Sequence, residues 1–261
     1  MSASIPAPAV SGQHETSRRK FSVRLQVLIS IVFVSSLVVV AIVAALALVC
    51  LPPVSLGAVA AVHQRHTPVQ TREQRNLAAA TLGFVTGVSK VRPGDGGATI
   101  GFETLGVQPY DIDELSHLQD VRVTITTAWT IGVVALALAA LTGVWQVYRK
   151  RRTGPPVKAG GRLGTHSVLR SVKIAGWVCV GLPVAIAVAL LVAFDWFFRL
   201  FHLVLYPQGN WQFASDSALI YSFPEPYWLM MGLLWMLFLI LGGVVMLVVS
   251  GYGRRWVRRS C

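Results

Sequence analysis

The chain has 261 residues, of which 54% are hydrophobic and 13% are charged, and its 23 lysine and arginine residues outnumber its 11 acidic residues to give a formal net charge of +12. Because soluble domains carry about 25% charged residues, this composition excludes an ordinary soluble protein, and the apolar fraction argues against a nucleic-acid-binding protein despite the positive charge. The cysteines, Cys50, Cys179 and Cys261, are spaced too widely for a zinc module or a disulfide framework.

Four apolar segments are long enough to cross a bilayer. A hydrocarbon core about 30 Å thick needs roughly 20 apolar residues in a helix, and a helix satisfies its own backbone hydrogen bonds in lipid. The sequence therefore predicts an all-α membrane protein with a four-span domain over residues 25–253. The first segment exceeds the apolar core of a signal peptide, so we expect it to be retained. The predicted spans are residues 25–51, 124–148, 174–198 and 227–249.

The basic residues are concentrated on one side of these spans. Sixteen of the 23 fall before the first span, in the loop 149–173 or in the tail 254–261, whereas most acidic residues fall in the loops 52–123 and 199–226. The positive-inside rule then places both termini and the basic loop in the cytoplasm. Attraction to the anionic inner leaflet accounts for the net charge without a nucleic-acid partner.

The segments next to the spans have their own patterns. Residues 1–24 are rich in Ser, Ala and Pro, so we expect a disordered tail. The loop 149–173 has Gly and Pro but no acidic residue and is predicted to be a solvated tether.

The loop 52–123 is too long for a simple connector. A short helix starting at Thr71 is expected at the membrane surface, followed by a turn-rich break at residues 92–97. Asp111 or Asp113 is the expected N-cap of a helix that runs into the second span.

A first cluster of ionisable residues precedes the second span. In a helix, Glu114 and Asp120 lie three residues before and after His117, so both carboxylates share the face of the imidazole. A neighbouring carboxylate fixes the tautomer of a histidine and raises its basicity. The cluster, with Arg122 after it, predicts a site around His117, although the acidic residues alone are also typical of a helix start.

A second cluster ends the third span. Asp195, Arg199 and His202 lie within about 60° of one another on a helix, because their offsets are four and seven residues. Charged groups at this depth usually face a bundle interior or a wet cavity, which predicts a functional site. The alternative is a structural Asp195–Arg199 pair with the rest reaching to the interface. The aromatic residues that follow, including Trp211, are also typical of an interfacial belt.

Several chemistries are excluded by absent motifs. The chain has no Gly-x-Ser-x-Gly elbow, Walker loop or zincin motif, which argues against a serine hydrolase, a nucleotide-driven pump and a metalloprotease. The spans have almost no charged centre, which argues against an ion transporter. His63 and His66 lack companion ligands, and a di-iron set needs two Glu-x-x-His motifs and two further glutamates, whereas this chain has one such motif, so no metal or other cofactor is predicted.

The clusters together resemble the family of four-span bacterial membrane proteins that includes the lipoprotein intramolecular transacylase Lit. The matching pieces cover about half of the chain in the same order. They are residues 114–122, residues 201–202 with 206–213, and residues 219–220 with 223–224 and 228.

The resemblance implies an acyltransferase of the bacterial cytoplasmic membrane. It would move the sn-2 acyl chain of a diacylglyceryl-cysteine lipoprotein to the α-amine of the same cysteine, at the outer face. The family histidines fall on His117 and His202, of which one would take the amine proton and the other would contact the ester or the glycerol oxygen. Arg199, Arg122 or a tryptophan indole such as that of Trp211 would donate to the oxyanion. The implied partners are a diacylated lipoprotein and membrane lipids.

Two other functions are consistent with the same residues. A non-enzymatic partner or assembly protein would keep its function when His117 and His202 are replaced by alanine. Another lipid-modifying enzyme would lose its function, but the N-termini of lipoproteins would stay unchanged.

Overall fold

The structure of the protein is a computed structural model that describes residues 11–66, 72–90, 110–153, 157–214 and 217–259. All regular secondary structure in these ranges is helical, and four of the helices (α1, α4, α5 and α7) are long and apolar enough to span a membrane. The prediction of an all-α protein with four spans is therefore confirmed. The helices are α1 (Ser11–Val49), α2 (Pro52–His66), α3 (Arg72–Val85), α4 (Ile112–Thr153), α5 (Val157–Leu205), α6 (Ala218–Ser222) and α7 (Glu225–Arg259).

The four long helices form a bundle in the order α1, α4, α5, α7 around its axis, and the most extensive contact is between α5 and α7. These two helices touch through glycines. A Cβ atom on Gly176 would lie 2.9 Å from the carbonyl oxygen of Gly243, and one on Gly243 would lie 2.8 Å from that of Gly176. Small residues let helix backbones approach each other, which is the usual basis of packing where lipid removes the hydrophobic driving force.

A second layer covers one end of the bundle. It consists of α2, α3 and α6 with the first turns of α4 and α7, and it holds the largest cluster of buried hydrophobic side chains. Helix α3 confirms the predicted short helix, and its buried residues follow helical spacing on one face. These residues are Leu77, Ala78, Thr81, Phe84 and Val85. Thr71 and the predicted break at residues 92–97 lie outside the described residues.

The start of α4 is fixed by a capping box. The backbone N–H of Glu114 donates to Asp111 Oδ1 at 2.7 Å, and the backbone N–H of Asp111 donates to Glu114 Oε2 at 2.9 Å. This reciprocal pair satisfies two N–H groups that have no partner inside the helix. Of the two expected N-caps, Asp111 is the one used, and Asp113 is exposed.

The helices extend beyond the predicted spans. Helix α1 begins at Ser11, so the disorder expected up to residue 24 is not found over residues 11–24. Most of the predicted tether 149–173 is helical, because α4 continues to Thr153 and α5 starts at Val157. Helix α7 likewise runs to Arg259, through most of the predicted tail. Apolar runs mark only the part of a helix that suits lipid, whereas the hydrogen-bonded backbone continues until a residue such as proline interrupts it.

Helix α5 contains a kink that the sequence pattern did not predict. Ala193 has non-helical backbone angles (φ −140°, ψ 47°) within the helix, which also contains Pro183. The kink separates the main span from the last three turns. His202 lies in that terminal segment, so the kink contributes to the direction in which His202 meets α4.

Candidate functional site

Two histidines that are far apart in the sequence lie side by side at the end of the bundle that carries the second layer. His117 is in the second turn of α4 and His202 is in the last turn of α5, and their ring centroids are 5.8 Å apart. Both are buried, with 6% and 8% of their surface exposed. The structure therefore brings together the two histidines that the sequence singled out.

Aromatic side chains enclose the two imidazoles. The Tyr206 ring meets His117 edge-on at 4.9 Å between centroids, and Phe213 lies 5.6 Å from it. Trp211 lies 4.8 Å from His202. This apolar wall lowers the local dielectric, which strengthens any hydrogen bond or charge interaction made inside it.

Hydrogen bonding defines the tautomer of one histidine. His202 Nδ1 lies 2.8 Å from the carbonyl oxygen of Phe198. A carbonyl oxygen only accepts hydrogen bonds, so Nδ1 carries the proton and donates it. In the neutral ring, Nε2 is then the lone-pair nitrogen and can act as a base.

Two other polar atoms of the site are buried without a partner among the described residues. They are His117 Nδ1 and the indole Nε1–H of Trp211. Buried polar atoms are nearly always hydrogen-bonded, so unpaired ones beside a histidine pair mark a place where a polar substrate group can bind. Burial raises the pKa of the Tyr206 phenol above the ordinary value, so the hydroxyl keeps its proton at neutral pH, and it forms a side-chain hydrogen bond with Thr124.

The predicted carboxylates hold neighbouring segments in place. Glu114 is almost fully buried, and its Oε1 accepts the backbone N–H of Leu219 at 2.8 Å, which ties the start of α4 to α6. Asp120 Oδ2 accepts from Gln208 Nε2 at 2.7 Å and from Asn210 Nδ2 at 2.8 Å. Neither carboxylate hydrogen-bonds to His117 among the described residues, although Asp120 is close enough to interact electrostatically with the imidazole.

Glu114→Ala is expected to lower the free energy of unfolding by about 2–4 kcal/mol, because two backbone N–H groups lose a carboxylate acceptor in a buried place. Thermal unfolding in detergent measures this change. Asp113→Ala is the matched control, since Asp113 lies in the same helical turn but is exposed, and its loss is expected to cost less than about 1 kcal/mol. Equal destabilisation by both substitutions would contradict the role assigned to Glu114.

The predicted arginines and Asp195 form no hydrogen bond or ion pair with either imidazole among the described residues. Arg122 donates to the carbonyl oxygens of Phe84 at 3.0 Å and Ser89 at 2.6 Å, and its guanidinium stacks over the Phe84 ring, so it secures the end of α3. Asp195 and Arg199 are both exposed and form no ion pair in the described part of the chain. The helical face was predicted, but only the end that carries His202 is covered by other elements.

The segment that follows His202 contributes more than the sequence analysis assigned to it. Trp211 was predicted, whereas Tyr206, Phe213 and the loop amides were not proposed as site residues. Gly209 has a φ of 85°, a left-handed conformation that favours glycine, and it turns the chain back over the histidines. The sequence does contain a pattern that could have identified this segment. Aromatic and amide residues cluster around a glycine directly after the second histidine.

No group of three or more His, Cys, Asp or Glu side chains in the described part of the chain is placed to hold a metal ion. The side chains of His63 and His66 lie outside the described residues.

Comparison with known proteins finds one family and one fold. Residues 101–228 match the family model described as lipoprotein intramolecular transacylase Lit. A solved structure of the membrane integral lipoprotein intramolecular transacylase Lit from Bacillus cereus is similar with a TM-score of 0.64 and 16% identity, covering 90% of this chain and 99% of that chain. A variant of the same protein with one histidine replaced by arginine gives a TM-score of 0.65 and 14% identity, covering 95% and 100%.

At these identities the structural likeness shows the fold alone. A comparison with curated protein sequences gives no match. The family match contains His117, His202 and Trp211.

Proposed function

We propose that the chain belongs to the Lit family, whose model matches residues 101–228, and that it is a transacylase that moves the sn-2 acyl chain of a diacylglyceryl-cysteine lipoprotein to the α-amine of the same cysteine. The observation that carries the proposal is the pair of buried imidazoles, His117 and His202, with centroids 5.8 Å apart inside an aromatic enclosure. When an amine attacks an ester, a proton must leave the amine and reach the leaving oxygen. Two imidazoles in an apolar site that holds little water can carry out that proton transfer.

His202 is the proposed base. Its Nδ1 is committed to the Phe198 carbonyl, which leaves Nε2 to accept the proton of the neutral α-amine as the amine nitrogen attacks the ester carbonyl carbon. A carbon–nitrogen bond forms and the carbon–oxygen bond to glycerol breaks. The proton ends on the glycerol oxygen, so the histidines are regenerated. His117 contacts the leaving oxygen in this scheme and assists that last transfer.

The indole of Trp211 is the proposed oxyanion donor, because its Nε1–H is buried without a partner beside His202. Tyr206, whose ring contacts His117 and whose hydroxyl is hydrogen-bonded with Thr124, is proposed as a second donor. Since the amine and the ester belong to one molecule, proximity supplies much of the rate, and no covalent acyl-enzyme is needed.

The site is proposed to lie on the extracytoplasmic face of a bacterial membrane. His202 is at the end of α5, whereas the basic residues Arg170 and Lys173 are near its beginning. The positive-inside rule assigns the basic end to the cytoplasm, so the histidines face the side on which lipoproteins are displayed.

Mass spectrometry of a lipoprotein's N-terminal peptide tests the function. The lipoprotein carries an isotopically labelled sn-2 acyl chain and is incubated with the protein in unlabelled phospholipid. The expected product has the labelled chain on the α-amine and a lyso-glyceryl thioether at the same cysteine. An unlabelled chain on the amine would indicate a phospholipid donor, and an unchanged diacyl peptide with folded protein would contradict acyl transfer.

A further inference from the structure

A cavity of about 520 Å³ lies between α5 and α7, at the opposite end of the bundle from the histidine pair. On α5 its lining residues recur at helical spacing and form one stripe, and α7 contributes one residue from its last turns. Among the described side chains, those that line it are His166, Arg170, Lys173, Ile174, Trp177 and Arg254. Lys173 in the cavity and His202 in the histidine pair are separated by roughly 40 Å along α5, at a rise of 1.5 Å per residue.

Glycine contacts on either side hold the walls of the cavity at a fixed separation. The two helices touch at Gly176 and Gly243, as described above, and approach again where a Cβ atom on Gly253 would lie 2.9 Å from the Leu169 side chain. Arg254 Nη2 lies 3.5 Å from the carbonyl oxygen of Leu169, which keeps its guanidinium at the α5 wall. The packing of α5 against α7 therefore fixes the position of Arg254 relative to Arg170 and Lys173.

The positive charge of this cavity has no acidic neighbour in the sequence. Residues 149–173 and 250–261 contain no Asp or Glu, and neither does α5 before Asp195. Arg170, Lys173 and Arg254 therefore place three cations around one space, and no carboxylate of the described parts of α5 and α7 at this end balances them. Such an arrangement is favourable when an anion is bound, and a phosphate group accepts hydrogen bonds from several cations at once.

The lower wall of the cavity is apolar. Ile174 and Trp177 follow Lys173 toward the membrane centre, and 46% and 58% of their surfaces are exposed. A basic rim with an apolar wall beneath it matches a phospholipid, whose phosphate precedes an acyl chain, better than it matches a free phosphate ion.

We propose that this cavity binds an anionic membrane phospholipid, with its phosphate between Arg170, Lys173 and Arg254 and one acyl chain along Ile174 and Trp177. The site is separate from the histidine pair and does not rest on the proposed transacylase function.

Native mass spectrometry of the full chain, released from nanodiscs of phosphatidylglycerol mixed with phosphatidylcholine, tests the site. The wild type is expected to retain phosphatidylglycerol in preference to phosphatidylcholine. The double substitution Arg170→Gln with Arg254→Gln is expected to weaken phosphatidylglycerol retention by roughly 10- to 30-fold, since each cation near the lipid surface contributes to binding.

The matched control is Arg255→Gln with Arg259→Gln. It removes two charges from the same end of α7, at exposed positions that do not line the cavity, and is expected to leave phosphatidylglycerol retention unchanged. Equal losses in both double variants would overturn the site, because bulk charge would then explain the binding. No preference for phosphatidylglycerol in the wild type, or its displacement by millimolar inorganic phosphate, would overturn the phospholipid assignment. Matching unfolding temperatures of the two variants show that a loss of lipid does not reflect misfolding.

Discussion

Replacing His117 or His202 with alanine is expected to reduce acyl transfer by roughly 10²- to 10⁴-fold, the usual contribution of a positioned acid or base. Each substitution removes one of the two imidazoles that face each other at 5.8 Å, and the scheme needs one to take a proton and the other to assist the leaving oxygen. The readout is the fraction of lipoprotein peptides with an N-acylated cysteine, measured over time by mass spectrometry.

Controls separate lost chemistry from lost structure. Val123→Ala and Val204→Ala truncate exposed side chains on the same two helices, and both variants are expected to keep the wild-type rate. His202→Gln is a sharper variant, because an amide keeps a polar group at this position but does not take up a proton at neutral pH. A His202→Gln enzyme with the wild-type rate would contradict the assignment of His202 as the base.

The four spans could be predicted from the sequence because lipid imposes a simple rule on long apolar runs. The ends of the long helices could not be predicted from these runs, because helical hydrogen bonding continues past the apolar part. Helix α1 thus starts at Ser11 and α7 runs to Arg259, although the composition of these flanks is polar. Two interruptions between helices coincide with consecutive prolines, at residues 52–53 and 155–156.

The histidines of the site were predictable, but most of the contacts around them were not. Helical spacing placed Asp195, Arg199 and His202 on one face, yet spacing cannot show where another element covers that face. The covering element is the turn through Gly209, which Asp120 anchors through Gln208 and Asn210.

Helical spacing also could not show which partners the polar neighbours of His117 would bind. Glu114 and Asp120 have the correct spacing for contact with the imidazole, but each carboxylate is used by backbone or amide groups from a distant segment. Arg122 is likewise taken by carbonyl oxygens at the end of α3. Sequence spacing limits which residues can meet within a helix, whereas long-range partners decide which of those contacts form.

Trp211→Phe is expected to lower the kcat of acyl transfer by roughly 10²- to 10³-fold and to leave KM nearly unchanged. The substitution keeps an aromatic ring against His202 but removes the buried, unpaired indole N–H. A donor that bonds the oxyanion more strongly than the ground-state ester contributes to kcat and little to substrate binding. Steady-state kinetics with a diacylated lipopeptide in micelles measures both constants.

Trp228→Phe is the matched control for this substitution. Its indole N–H already donates to the Phe223 carbonyl oxygen at 2.9 Å, so its removal is expected to cost stability and not rate. If Trp211→Phe raised KM and kept kcat while Trp228→Phe changed neither constant, Trp211 would act in binding the acyl chain. A Trp211→Phe enzyme with unchanged kcat and KM would assign the oxyanion to the phenol of Tyr206, whose ring contacts the other histidine, and the Tyr206→Phe variant would then carry the loss of kcat.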